Sequence, residues 1–143
     1  MSSPKTEPAY HNRLFGADAS RALDEASINE FGLSGFTLME LAATQAADYL
    51  KPRLRPESRL LICCGSGNNG GDALAVARLL AEAGHEIHIY APSGLEKLSG
   101  DAAHNLKLLR SLQENGTAGH IILSDTPEEP PRKPEDYFDA IID

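Results

Sequence analysis

Residues 59–84 read "RLLICCGSGNNGGDALAVARLLAEAG". The run "LLICC" is short, continuous and apolar, as expected of a parallel strand covered on both faces. After the glycines, Val76, Leu79, Leu80 and Ala83 recur at i, i+3, i+4 and i+7, which predicts a helix stopped by Gly84. A strand, a glycine-rich turn and a helix in that order are the first two-thirds of a β-α-β unit.

Working outward, the pattern repeats. "HEIHIYAP" (85–92) alternates and reads as a strand. "SGDAAHNLKLLRSLQENG" (99–116) reads as a helix with Ser99 as N-cap, an apolar side of Ala102, Leu106 and Leu109, and Asn115-Gly116 as its stop. "HIILS" (120–124) and "FDAII" (138–142) are further strands, separated by the turn-rich "DTPEEPPRKPED". Upstream, "ADASRALDEASINEFG" (17–32) places Leu23, Ala26 and Phe31 on one helical side, with Gly32 as C-cap. "TLME" has Thr37 and Glu40 at capping-box spacing and opens a second helix with a stripe of Met39, Ala42, Ala43 and Ala46. Pro52 and Pro56 break it.

The expected fold is therefore α/β: a Rossmann-like three-layer arrangement with a parallel sheet, right-handed crossovers and two N-terminal helices packed beside it. Residues 1–17 carry no apolar run and are expected to be a disordered tail before one domain over 18–143. Because a buried final strand is normally followed by a covering helix, the stop at Asp143 leads us to expect an incomplete domain.

Composition excludes several classes. The formal charge of −8 and pI near 5.0 would repel nucleic acid and anionic membrane. Arg53, Arg55 and Arg59 are too few for a nucleic-acid patch. No apolar run is long enough to span a bilayer. The two cysteines, Cys63 and Cys64, are adjacent, so in a strand they point to opposite faces and cannot pair with each other. Reduced thiols suit an intracellular protein, with the cytoplasm the first expectation and a mitochondrial location left open. The five histidines are scattered, and no pair has metal spacing beside a third ligand. His85, His88, His104 and His120 read as ordinary surface or core residues, and Glu128 and Glu129 as a solvated charge cluster.

Gly65, Gly67 and Gly70 satisfy the dinucleotide fingerprint G-x-G-x-x-G between strand and helix. That fingerprint wants an acid at the end of the second strand, yet "IYAPSG" has none, and Asp72 in the first helical turn would repel a pyrophosphate. A P-loop is excluded, because Gly71-Asp72 stand where lysine and Ser/Thr belong. The plainest alternative is a tight turn whose Asn68, Asn69 and Asp72 cap the helix. Against it, two asparagines, bare backbone N–H groups and a carboxylate at one strand terminus suit a polyhydroxylated or hemiaminal ligand and a hard cation.

"GSGNNGGDALAVARLLAEAG" resembles the signature of the YjeF N-terminal domain family, the NAD(P)H-hydrate epimerases. "ASRALDEASINEFGLSGFTLMELA" is similar to the family's opening two helices, and "FDAIID" to the strand that delivers its aspartate. The likeness runs over about residues 18–143. It implies an isomerase of metabolite repair that interconverts the R and S forms of hydrated NADH and NADPH, for use by a partner NAD(P)H-hydrate dehydratase. By this resemblance Asn68, Asn69, Gly70, Gly71 and Asp72 would contact the hydrated dinucleotide. Asn69 and Asp143 would ligate one potassium ion per subunit, and Asp143 would be the catalytic group at the reacting end. A homodimer is compatible with it.

Some positions depart from the family pattern. Ser66 stands for a common proline, and Ala73 and Ala43 for common glycines. The family's second glycine loop and later ligands would lie beyond Asp143. Two other readings stay open at this point: a non-catalytic interaction scaffold of the same fold, and an inactive truncated remnant.

Overall fold

The computed structural model describes residues 15–65, 67–116, 119–124 and 137–143. Most of the expected tail, the whole of "DTPEEPPRKPED" and with it Glu128 and Glu129 lie outside the described residues. The chain divides into two compact units, Met1–Gly35 and Phe36–Asp143.

The first unit contains α1 (Ala17–Asn29). Gly32 follows it at φ +71, the left-handed conformation that ends helices at low cost in glycine. On the helical side that Leu23, Ala26 and Phe31 share, Leu23 and Phe31 are exposed, and no residue of α1 is buried.

The second unit is built from α2 (Gly35–Leu50), β1 (Arg59–Cys63), α3 (Asn68–Glu82), β2 (Glu86–Tyr90), α4 (Gly100–Asn115), β3 (Ile121–Ser124) and β4 (Ala140–Ile142). The strands form one sheet in the order β3-β2-β1-β4. All three pairings are parallel, with Leu60 opposite Ile87 and Ala140, and Ile87 opposite Ile121. Moving from β1 to β2 to β3 is two steps in one direction, so two right-handed crossovers set α3 and α4 side by side on one face.

Register then assigns every strand residue to a face. Leu60, Ile62, Ile87 and Ile89 are completely buried and share one core with Leu74, Ala77, Leu80 and Ala81 of α3 and Ala102, Leu106 and Leu109 of α4. Each fully buried Leu or Ile contributes roughly 1.5–3 kcal/mol of transfer free energy. The opposite face carries Arg59, Leu61, Glu86 and His88. There Arg59 Nε donates to Glu86 Oε1 at 2.8 Å, and His88 Nε2 lies 2.6 Å from the same oxygen. Phe138 packs edge-on against the His88 ring.

Several local expectations need correction. α2 starts at Gly35, so Thr37 is inside its first turn and cannot be the N-cap of a capping box. Glu40 instead reaches Arg78 on α3. The buried stripe of α2 is Met39, Ala43, Ala47 and Leu50, whereas Ala42 and Ala46 are exposed. A spacing of 4, 4 and 3 keeps a stripe on one side, and the alternative 42–46 row faces water. The chain leaves α2 through a 3₁₀ turn, Lys51–Arg53, that accommodates Pro52 at its start. At the other end, β4 begins two residues later than expected. Asp139 Oδ2 accepts the Arg59 N–H at 2.9 Å, so a side chain takes one of the two backbone bonds there while the Asp139 N–H still donates to Arg59 O at 2.8 Å.

The helix stops behave as read. Gly84 (φ +92) closes α3, with His85 N–H donating to Leu80 O and Gly84 N–H to Ala81 O, a Schellman pair. Gly116 closes α4 at φ +62.

Candidate functional site

The carboxyl ends of β1 and β4 lie side by side, because Ile62 pairs with Ile142. The residues that follow them, Cys63 and Asp143, are therefore neighbours. The Cys63 thiol is pushed up, first by burial and then by the negative charge of Asp143. From the same end of β1 the chain passes through Cys64, Gly65 and Gly67 into α3. Asp143 and the glycine loop thus share the end of the sheet at which open α/β folds bind ligands.

The loop is tight and specific. Gly70 N–H donates to Gly67 O at 3.0 Å. A Cβ on Gly70 would run into the Gly65 carbonyl, so this position admits only glycine. A Cβ on Gly71 would lie 2.6 Å from Met39 Cε and 3.4 Å from the Ala102 nitrogen, at the meeting of α2, α3 and α4. Gly65 and Gly67 are different. A Cβ at either meets no atom within 4 Å among the described residues beyond its chain neighbours, so their backbones face space that a ligand can approach.

Beneath the loop sits Cys64, whose contribution was not legible in the sequence. Its Sγ donates to Gly70 O at 3.4 Å, with Gly65 O at 3.5 Å. Burial pushes this thiol up to about 11, so it stays protonated and serves as a donor, not as a nucleophile. A cysteine directly before a glycine loop was the available signal.

α3 begins at Asn68 with Gly67 as its N-cap, in extended conformation and with no side-chain cap. That overturns the placing of Asp72 in the first turn. It lies in the second, where a carboxylate no longer reaches the free N–H groups. Asp72 is partly buried, and burial raises its carboxyl above the usual range. Removing it from the cap leaves it available to a ligand. Asn69 and Asp143 are exposed at the same end of the sheet.

The other candidates are structural. Arg53 stacks over the Tyr49 ring, Arg55 pairs with Asp139 and Arg59 with Glu86. His85 and His88 are buried, His104 meets Phe36 edge-on and His120 is exposed. Among the described residues no group of three or more His, Cys, Asp or Glu side chains is placed to hold a metal. Nor is any described helix long and apolar enough to cross a membrane.

The model of the family described as YjeF-related protein N-terminus matches residues 35–143. The chain belongs to this family. The YjeF-related match takes in α2, the loop and β4, so Asn68 to Asp72 and Asp143 all lie within it. A bifunctional NAD(P)H-hydrate repair enzyme of Salinibacter ruber is 40% identical over 136 residues, covering 88% of this chain and 25% of that protein. An NAD(P)H-hydrate epimerase of Rhodopirellula baltica is 42% identical over 88 residues, 62% of this chain and 36% of that one. The corresponding epimerase of Anopheles darlingi is 36% identical over 124 residues, 85% and 50%. The chain thus spans between a quarter and a half of the length of these relatives. The crystal structure of the yeast protein YNL200c superposes with a TM-score of 0.61 at 21% identity, over 78% of this chain and 47% of that one, a likeness of fold.

Proposed function

We propose that this chain binds hydrated NADH or NADPH and supports interconversion of its R and S epimers, the activity in the names of two of its relatives. The observation that carries the reading is the loop itself. Gly65 and Gly67 leave their backbones open, Asp72 is freed from capping, and Asp143 emerges beside them from the neighbouring strand.

Epimerisation at the hydrated ring carbon can proceed by departure of hydroxide, which leaves as water on taking a proton from an enzyme acid. Water then returns to the other face of the iminium-like ring, with that proton handed back. The alternative is ring opening, in which the hydroxyl proton passes to the ring nitrogen as the C–N bond breaks and returns on closure. The first route develops positive charge on the ring, and both move one proton. In this reading Asp143 supplies the carboxylate that opposes that charge and exchanges the proton. Asn69, Gly70, Gly71 and Asp72, with Asn68 beside them in the chain, bind the dinucleotide through amide, backbone and carboxylate groups.

Asn69 and Asp143 present only oxygen and amide donors, the chemistry a hard cation such as potassium takes, and they are our proposed ligands for it. When bound, such an ion supplies a fixed positive charge that gathers oxygen ligands. Two side chains fill only part of its shell, so backbone carbonyls or water complete it. The product would pass to a dehydratase acting on the S form. The unpaired thiols of Cys63 and Cys64 support a place inside the cell.

The test is R-to-S conversion of hydrated NADPH, coupled to an excess of S-specific dehydratase, in the protein that carries this chain. We expect conversion above the spontaneous rate, and its loss in Asp143→Asn. Wild-type protein that leaves the rate at its spontaneous value would overturn the reading.

A further inference from the structure

Three helices meet beneath the loop through a closed circuit of side chains. Asn105 of α4 is fully buried, and its Nδ2 donates to Met39 Sδ at 3.5 Å and to Asp101 O at 3.3 Å. Arg78 of α3 returns the contact, with Nε donating to Asn105 Oδ1 at 3.5 Å. The same guanidinium donates to Glu40 and, at 3.2 Å, to Glu82. Glu40 adjoins Met39 on α2, which completes the ring. The second Glu40 oxygen, Oε1, is buried and meets no hydrogen-bond partner among the described residues.

An apolar cluster would hold three helices together at less cost, since buried polar groups repay their desolvation only with good geometry. A polar ring does something an apolar cluster does poorly: it admits one relative placement of its members. Here the member that touches the loop is Met39, whose methyl sits where a Cβ of Gly71 would be. The N-cap of α3, Gly67, offers no side chain to locate the first turn, so contacts of this kind help to place it.

We propose that Met39 and Glu40 are positioning residues for the ligand loop. Met39 bears on Gly71 and sets the depth of the first turns of α3. Glu40, through Arg78 and Asn105, holds Met39 in place. None of the four touches a ligand; they act through Asn69 to Asp72. The inference rests on the proposed function only for the choice of ligand in its second arm.

The first arm needs no activity. Amide hydrogen exchange is measured in the protein that carries this chain, as Gly71→Ala, Met39→Ala and the double variant. Each single change is expected to speed exchange of the Gly70 and Asp72 amides while the Leu61 and Ile62 amides of β1 stay protected. In the double variant the new methyl occupies the space that Met39 vacates, so exchange returns toward wild type. Gly71→Ala with wild-type exchange, or a double variant that sums the two single effects, overturns the proposal. If Gly71→Ala alone does not fold, a folded double variant is the rescue, and a double variant that also fails counts against it. In the second arm, Glu40→Gln is expected to lower kcat/KM for hydrated NADPH about tenfold through a raised KM, with β1 exchange unchanged. An unchanged KM would remove Glu40 from the device. Wild-type protein without epimerase activity would sink the functional reading and leave the exchange arm to decide this one.

Discussion

At the scale of residues, the glycines of the loop divide into two kinds that a sequence motif cannot separate. Gly70 is required because a carbonyl occupies the place of its Cβ; Gly65 is not required by any atom of the described residues beyond its chain neighbours. We therefore expect Gly70→Ala to cost about 1–3 kcal/mol, as forced overpacking does, read by chemical denaturation. Gly65→Ala should change stability by less than about 0.5 kcal/mol and yet weaken hydrated-dinucleotide affinity, because the methyl enters the open space. A Gly65→Ala variant with wild-type affinity would place the ligand elsewhere. Asp72 makes a second prediction. Its folded-state carboxyl is raised by burial above the ordinary 3.8, so the folded chain holds its proton more tightly than the unfolded chain. Stability should fall as pH rises from about 3.8 through the raised folded value. Asp72→Asn should flatten that part of the stability–pH curve, keep the fold and lose ligand affinity. A curve unchanged by the substitution would contradict the burial argument.

Among elements, β4 shows how a short strand is held. Asp139 accepts the Arg59 N–H, returns its own N–H to Arg59 O at 2.8 Å and pairs with Arg55. The Arg59 N–H and then Arg55 hold its carboxyl below the ordinary 3.8. Its contribution is present above 3.8 and is lost as pH falls through the lower folded value. Asp139→Ala should therefore speed amide exchange in β4 at neutral pH, and the difference from wild type should shrink at lower pH. An equal difference at every pH would show that charge is not involved. Because Asp143 rides on β4, the same change should weaken the proposed ligand site. The elements themselves were largely legible. "RLLIC", "EIHIY" and "IILS" are strands because short apolar runs leave little else, although β1 stops at Cys63, one residue short of the apolar run, and Gly84 and Gly116 end their helices where read. The burial side of α2 was not legible, since a row of alanines offers two equivalent stripes and only the neighbours choose between them. In α1 the shared helical side of Leu23, Ala26 and Phe31 says nothing of burial by itself: Leu23 and Phe31 are both exposed.

At the largest scale, one contiguous core of the second unit joins the helix-facing side of the sheet to α2, α3 and α4. Leu80 is completely buried at its centre, so Leu80→Ala should cost about 2–5 kcal/mol. In urea the midpoint should drop with the slope unchanged; a changed slope would mean that more than a cavity was made. The strand order β3-β2-β1-β4 puts β1 in the interior of the sheet and its carboxyl end between the loop and Asp143. Residues far apart in the chain, 65–72 and 143, are thereby brought to one edge of one structure.

The amino-acid sequence by itself determined the strand–helix alternation, the parallel sheet and the loop as the place of interest. These follow from periodicity and from glycine's backbone freedom, which are local properties. It also carried the resemblance that names Asp143. What only the tertiary structure decided was which glycine is steric and which is open, that Gly67 and not an asparagine or Asp72 heads α3, and that Cys64, Met39 and Glu40 support the loop. Each depends on atoms from other elements arriving within a few ångströms, and no local pattern encodes the position of a neighbour that the fold has yet to bring.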